Sequence, residues 1–256
     1  MKPVILIPAR LQSTRLPNKP LADIAGKPMV WHVWQRALEA EVGRVVIATD
    51  SEQIENMMTR LGAEVVMTAV DHASGTERLA EASRLLSLSD DTPVVNVQGD
   101  EPLIAPAVIQ QIALLLAQHP QASMASLWEP IHTATQLLNP NFVKVVTDQQ
   151  GYALTFSRAP IPWHRDVFGS ELTANSELPQ GVPFCRHLGI YAYSAGFLRQ
   201  YAQWPSSEME RIEALEQLRV LWNGHKIVLA EACQPTHAGV DTPEDLERVR
   251  AVLTRV

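Results

Sequence analysis

Cysteine is almost missing from this 256-residue chain: Cys185 and Cys233 stand far apart and without CxxC spacing. That excludes a cysteine zinc cluster and argues against a disulfide framework. No apolar run approaches the ~18 residues of a membrane span. The N-terminus enters an apolar stretch at Val4 with no signal-peptide pattern, so a soluble cytoplasmic protein is the expectation. Positive charge is also short. Lysines and arginines number 21 against 28 acids, a formal net charge of −7. Nonspecific nucleic-acid binding runs on phosphate neutralisation by a basic surface, which this balance does not supply. Any anion bound here should be small and held by a few focused cations. Two phosphate-binding signatures are missing as well. There is no GxxxxGK[ST], and no GxGxxG follows the first apolar stretch. The phosphates of any nucleotide must then be held largely by side chains. Internal repeats and low-complexity tracts are lacking too.

What is present is an ordinary globular composition, 46% hydrophobic and 19% charged. Val4-Ile5-Leu6-Ile7 reads as a strand, and Pro28 to Ala40 as a helix. Val45 to Thr49 is a short β-branched strand, followed by a helix from Ser51 to Leu61. Ala63 to Met67 and Pro93 to Val97 are further strands, with helices over about Thr76 to Leu86 and Ala105 to Gln118. Strands alternating with helices of this length predict a mainly parallel sheet flanked by helices. From Ala122 the rhythm changes to a smaller mixed β region. Strands over Ser123 to Trp128, Phe142 to Thr147, Tyr152 to Ser157, His187 to Tyr193 and Lys226 to Glu231 surround a Pro-rich loop at 159–184. Gly151 suits the positive φ of a hairpin turn between the second and third of these. Ser207…Glu210 has capping-box spacing. Thr242-Pro243-Glu244-Asp245 opens a last helix, with Thr242 as its N-cap.

Arg10, Arg15 and Lys19 lie in a proline-punctuated segment just past the first strand. They form either a local anion trap or a solvated, stiffened loop. Asp100 ends the polar run Gln98-Gly99-Asp100 at the close of an apolar strand. It can start a turn before Pro102 or serve as a Mg²⁺ ligand, an ion that takes only one or two protein carboxylates. Asp241 precedes the N-cap of the last helix. It can act there as a favourable charge, or point elsewhere because Thr242 already caps. Residues His187, Gly189, Tyr191 and Tyr193 share one strand face, either a polar pocket wall or a solvent-facing edge. In the helix expected from Ser207, Met209, Ile212, Leu215, Leu218, Val220, Leu221 and Trp222 occupy almost the whole circumference. That predicts burial all round. Glu216 is then a shielded carboxylate, paired with Arg219 or accepting substrate hydroxyls together with Gln217. Arg158 and Arg165 flank the start of the long loop and would suit a ligand carboxylate.

The stretches IPARLQSTRLPNKPL, DHASGTERLAE, VNVQGDEP, FSRAPIPW, RHLGIYAY, LEQLRVLWNGHKI and GVDTPEDLERVR occur in that order. Together they resemble the 3-deoxy-manno-octulosonate (Kdo) cytidylyltransferases, from about residue 3 to 253 and least clearly over 166–184. The resemblance implies a nucleotidyltransferase, Rossmann-like α/β fold and a homodimer. It also implies transfer of CMP from CTP to the anomeric hydroxyl of Kdo, with Mg²⁺ as cofactor, for lipopolysaccharide biosynthesis. It implies one domain, with 1–120 mainly binding nucleotide, 121–240 mainly binding sugar and dimerising, and 241–256 as a closing helix. Carried over residue by residue, it gives Arg10, Arg15 and Lys19 the triphosphate, and Ala73, Ser74, Gly75 and Arg78 the cytidine. Asp100 and Asp241 receive magnesium; with Arg10 and Lys19 they make the catalytic set. Gln98, Arg158, Arg165, His187, Tyr191, Glu216 and Gln217 surround the sugar. One departure is visible: Asn18 stands where the family often has glycine, and asparagine tolerates a left-handed backbone better than most residues. The alternatives are an N-acylneuraminate or amino-Kdo cytidylyltransferase and, from another class, a noncatalytic nucleotide sensor.

Overall fold

The apolar opening forms strand β1 (Val4–Ala9), whose Ile5, Leu6 and Ile7 are wholly buried. Consecutive apolar side chains on a strand need cover on both faces, and the elements that follow supply it. The computed structural model of the chain describes residues 1–12, 16–72 and 74–254. A 3-10 turn (Lys19–Leu21) leads to a small hairpin, β2 (Asp23–Ile24) and β3 (Lys27–Pro28), then α1 (Met29–Glu39). Next come β4 (Arg44–Thr49), α2 (Glu52–Arg60), β5 (Glu64–Met67), α3 (Gly75–Leu85), β6 (Pro93–Asn96) and α4 (Pro106–Gln118). The second half holds β7 (Met124–Pro130), α5 (Ala134–Leu138), β8 (Lys144–Thr147), β9 (Ala153–Ser157), α6 (Arg165–Phe168) and β10 (Cys185–Ser194). It closes with α7 (Ala195–Tyr201), α8 (Glu208–Glu213), α9 (Leu218–Trp222), β11 (Ile227–Glu231) and α10 (Pro243–Leu253). The predicted alternation is present close to its expected bounds.

The chain divides into two compact units. The first comprises Met1–Leu114, Ile190–Gln203 and Cys233–Val256. Its strands lie in the order β10-β6-β1-β4-β5. β1 runs parallel to β4 and β6, and β4 parallel to β5. The later half of β10 runs antiparallel to β6, with Tyr191 opposite Asn96. Tyr191 and Tyr193 are buried there, which removes the solvent-facing edge reading of that strand. The third chain segment is tied in by an apolar cluster of Ile24, Met29, Val240, Leu246 and Val249, seating α10 beside the β2–β3 hairpin.

The second unit comprises Leu115–Gly189 and Trp204–Ala232. β7 and β11 pair in parallel, while β8 and β9 form the expected hairpin around Gly151, whose φ is 83°. The long loop at 159–184 is less irregular than its prolines suggest. It contains α6, and Phe168 and Phe184 pack with Ile131 and Leu137 into a small core of their own.

One expectation in this unit is overturned. No single buried helix runs from Ser207. The capping box of Ser207 and Glu210 starts α8, but the helix stops at Ala214, a left-handed residue with φ 49°, before α9 begins. Met209, Ile212 and Trp222 are 42%, 71% and 60% exposed, so the wheel is not buried all round. The break has a polar cause. Arg158 donates from its guanidinium to the carbonyls of Glu213 (2.6 Å) and Ala214 (3.2 Å), satisfying acceptors that an ending helix leaves orphaned. Arg219 pairs with Glu210, at 2.8 and 2.5 Å, and both are buried.

Candidate active site

Because β1 and β6 are parallel neighbours in the first unit, the segments leaving their carboxyl ends open on one cleft of about 640 Å³. Ligands of open α/β sheets bind at this position. Arg10 and Gln12 come from the β1 side, and Gln98, Gly99 and Asp100 from the β6 side. Gly99 is required by close approach: a Cβ there would lie 2.6 Å from the Pro8 carbonyl oxygen. Ser74 and Gly75 bring in the start of α3, where the Ser74 hydroxyl accepts from the Glu77 N–H at 3.2 Å. Arg78 lines the cleft from one turn further on. Its guanidinium is already committed, donating to Thr68 Oγ1 (2.5 Å), the Ala69 carbonyl (3.2 Å) and Asp50 (2.7 Å). It stiffens the loop before α3 from beneath.

Asp100 and Asp241 lie far apart in sequence, and main-chain pairing joins them. The Val240 N–H donates to the Asp100 carbonyl at 2.8 Å. Beyond it the capping box of Thr242 and Asp245 sets the start of α10. Burial pushes the Asp245 carboxyl up, but the Asp241 and Thr242 N–H groups and the Thr242 hydroxyl bring it below the usual carboxylate range. Into this corner Lys19 extends its ammonium, 2.6 Å from Asp100 and 3.1 Å from Asp241. Asn18, at φ 56°, takes the left-handed turn that leads into the lysine, as its tolerance for that conformation predicts. The resemblance puts Lys19 among phosphates; in the structure it bridges carboxylates.

The corner fits a small divalent ion. Both carboxylates reach one cation, and a charge held between them is what the ammonium supplies. Among the described residues no group of three or more His, Cys, Asp or Glu could cage a metal. Magnesium does not need one, since it keeps several water or phosphate oxygens.

In the second unit, His187 and Gln217 come together, with Gln217 Nε2 3.4 Å from His187 Nδ1. Both are buried. Burial, and secondarily the neighbouring Arg186 charge, pushes the His187 imidazole down to about 3, so it is neutral. Glu216 is half-buried and adjacent in sequence. The expectation of two loop arginines available to a carboxylate is corrected for Arg158, whose guanidinium is taken up by main-chain carbonyls. Arg165 is exposed at the start of α6, beside Asp166 at 2.8 Å. Arg15 and Ala73 lie outside the described residues.

The chain is similar to known proteins over nearly its whole length. A cytidylyltransferase family model matches residues 4–227. The 3-deoxy-manno-octulosonate cytidylyltransferase of Actinobacillus succinogenes is 54% identical over 98% of this chain and 97% of its own length. That of Pseudomonas syringae pv. syringae is 56% identical over 97% of each. A solved CMP:2-keto-3-deoxy-manno-octonic acid synthetase complexed with CTP superposes with a TM-score of 0.89 at 40% identity, covering 100% of this chain and 99% of that one. The chain belongs to the 3-deoxy-manno-octulosonate cytidylyltransferase family. It is therefore a nucleotidyltransferase with that family's α/β fold.

For this cytidylyltransferase, sequence reasoning missed several residues. Gln12 lines the cleft, as does His72, whose Nε2 lies 2.5 Å from Glu81. Ser126, buried against His187 at 2.8 Å in the second unit, was missed too. His72 had one readable signal: it starts the small-residue loop before α3, and Glu81 sits on that helix. Ser126 had none, because a serine inside an apolar strand declares no partner.

Proposed function

We propose that the chain activates Kdo by transferring CMP from CTP to its anomeric hydroxyl, yielding CMP-Kdo and pyrophosphate for lipopolysaccharide biosynthesis in the cytoplasm. The observation that carries this reading is the corner where Asp100, Asp241 and Lys19 meet at the mouth of the strand-end cleft. The names of the relatives and the CTP in the solved neighbour support the choice of nucleotide and sugar. The anomeric oxygen forms a bond to the α-phosphorus while the bond to the pyrophosphate oxygen breaks. Asp100 and Asp241 would hold magnesium, whose charge would neutralise the phosphates and the charge that develops between them. Lys19, within reach of both carboxylates, follows the charge to the leaving pyrophosphate, helped by Arg10 and Arg15. By resemblance to the family, Ala73, Ser74 and Gly75 are assigned to the base, and Gln98, Tyr191, Arg165, His187, Glu216 and Gln217 to the sugar. The protein acts as a homodimer, for which the exposed Leu154, Ile212 and Trp222 of the second unit provide apolar surface.

The test is CTP-dependent pyrophosphate release with Kdo, amino-Kdo and N-acetylneuraminate in parallel. Release with Kdo is expected. Release with neuraminate alone would overturn the sugar assignment, and calorimetric CTP binding without release from any sugar would make the chain a nucleotide sensor.

A further inference from the structure

The segment between β5 and α3 is held by one side of that helix. Arg78 and Glu81 stand at i and i+3 on α3, where side chains are neighbours. Between them they take both main-chain groups of Ala69. The Arg78 guanidinium donates to its carbonyl at 3.2 Å, and the Glu81 carboxylate accepts from its N–H at 2.8 Å. At the far end of the segment the Ser74 hydroxyl caps α3. Between these anchors Val70 is 76% exposed, and the chain turns half-buried again at His72. The His72 Nε2 lies 2.5 Å from the same Glu81 oxygen that holds Ala69. Burial pushes the Glu81 carboxyl up, but the His72 and Ala69 hydrogen bonds bring it below the usual carboxylate range. An ionised carboxylate can only accept, so the His72 proton on Nε2 points at Glu81. Among the described residues, the cleft wall includes His72, Ser74 and Gly75 but not Glu81. Arg78 and Ser74 already fix both ends of the segment, so the pair adds one thing: an imidazole held at the cleft, with Nδ1 and its ring faces left for a ligand.

We propose that His72 is a further nucleotide-binding residue, contacting the nucleoside end of CTP, and that Glu81 is the positioning residue that aims its ring. The phosphates fall to the charged part of the same cleft, where Arg10 and Lys19 stand with the two aspartates. The nucleoside end is then the part of the ligand that His72 meets, from the segment that also carries Ser74 and Gly75. The inference rests on the reading that CTP occupies this cleft with its base beside Ala73, Ser74 and Gly75. Removing the Glu81 carboxylate takes away the acceptor that orients the imidazole, and the ring no longer waits in the binding position.

The experiment is calorimetry on the full-length protein with magnesium present, using CTP, CMP and pyrophosphate as separate probes. His72→Ala and Glu81→Ala should each raise the Kd for CTP and for CMP about five- to tenfold, the scale of one lost hydrogen bond, and leave that for pyrophosphate unchanged. Glu81→Gln keeps an acceptor oxygen for the imidazole and should bind CMP nearly as wild type does. In a His72→Ala background, Glu81→Ala should cost little more, because Glu81 acts through the ring. Thermal melts establish first that each variant folds; if Glu81→Ala does not, Glu81→Met replaces it, filling the space without an acceptor. Additive losses in the double variant, equal weakening of all three probes, or unchanged CMP binding in His72→Ala would overturn the proposal and leave the pair a staple of the loop. Wild-type protein that binds none of the three probes would be a different failure, since it removes CTP from this cleft and the proposal with it.

Discussion

At the residue scale the second unit contains a proton that the fold refuses. Burial holds His187 near a pKa of about 3, whereas an unfolded histidine titrates near about 6.5. Between those values the unfolded chain binds a proton that the native chain does not. Stability is therefore fully present above about 6.5 and declines as pH falls towards about 3. His187→Gln removes the titration, so its melting temperature should drop less than wild type's between pH 7.5 and pH 4.5. An equal drop in thermal scans would show that His187 takes its proton in the fold. Gly99 is constrained by space rather than charge. A β-carbon added there would stand 2.6 Å from the Pro8 carbonyl oxygen, so Gly99→Ala must push β1 and β6 apart at the cleft. Urea melts should register a loss of about 1–3 kcal/mol, the cost of overpacking a tight contact. The KM for CTP should rise with it.

At the scale of elements, the capped ends carry more of the site than the helices themselves. Thr242→Ala removes the hydroxyl that accepts from the Asp245 N–H, and the loss should be about 1 kcal/mol by denaturant titration. Asp241 sits directly before that cap, so the magnesium concentration for half-maximal activity should also rise, and a purely structural cap would leave it unchanged. In the second unit, Arg219→Met leaves Glu210 buried without its partner. A loss of about 3–5 kcal/mol is expected from urea melts, since an uncompensated buried charge costs far more than the pair contributes. These caps and the alternating strands were legible in the sequence because each rests on local chemistry. Ser207, Thr242 and Asn18 carry their own reasons within three residues of where they act. The break at Ala214 was not legible. An apolar wheel and good helix formers argued for one helix, and what ended it was Arg158, distant in sequence, reaching the carbonyls of Glu213 and Ala214. The site divides the same way: Asp100 and Asp241 could each be suspected alone, but only the Val240–Asp100 main-chain bond puts them side by side.

At the scale of the whole molecule, an acidic chain has placed two carboxylates together at the strand-end cleft and has set an internal cation between them. The last segment of the first unit, Cys233–Val256, returns to Asp100 and to the β2–β3 hairpin. The Asp100–Lys19–Asp241 contact thus joins the early and late segments of the first unit. If Asp100 and Asp241 hold magnesium as proposed, the metal is dispensable for folding and necessary for turnover. Chelation with EDTA should abolish pyrophosphate release reversibly while leaving the melting temperature of the wild-type protein nearly unchanged, because Lys19 already balances the carboxylates. Lys19→Met reverses the dependence. Without the ammonium, the two carboxylates repel in the metal-free protein, so its melting temperature should fall below wild type's. Added magnesium should then raise it more than it raises wild type's, since a ligand that binds only the native state stabilises it in proportion to its affinity. Calorimetry should show tighter magnesium binding to Lys19→Met in the absence of nucleotide, even though its turnover is lost. Equal responses of the two proteins to magnesium would mean that the ion binds elsewhere and that Lys19 and the aspartates form a purely structural bridge.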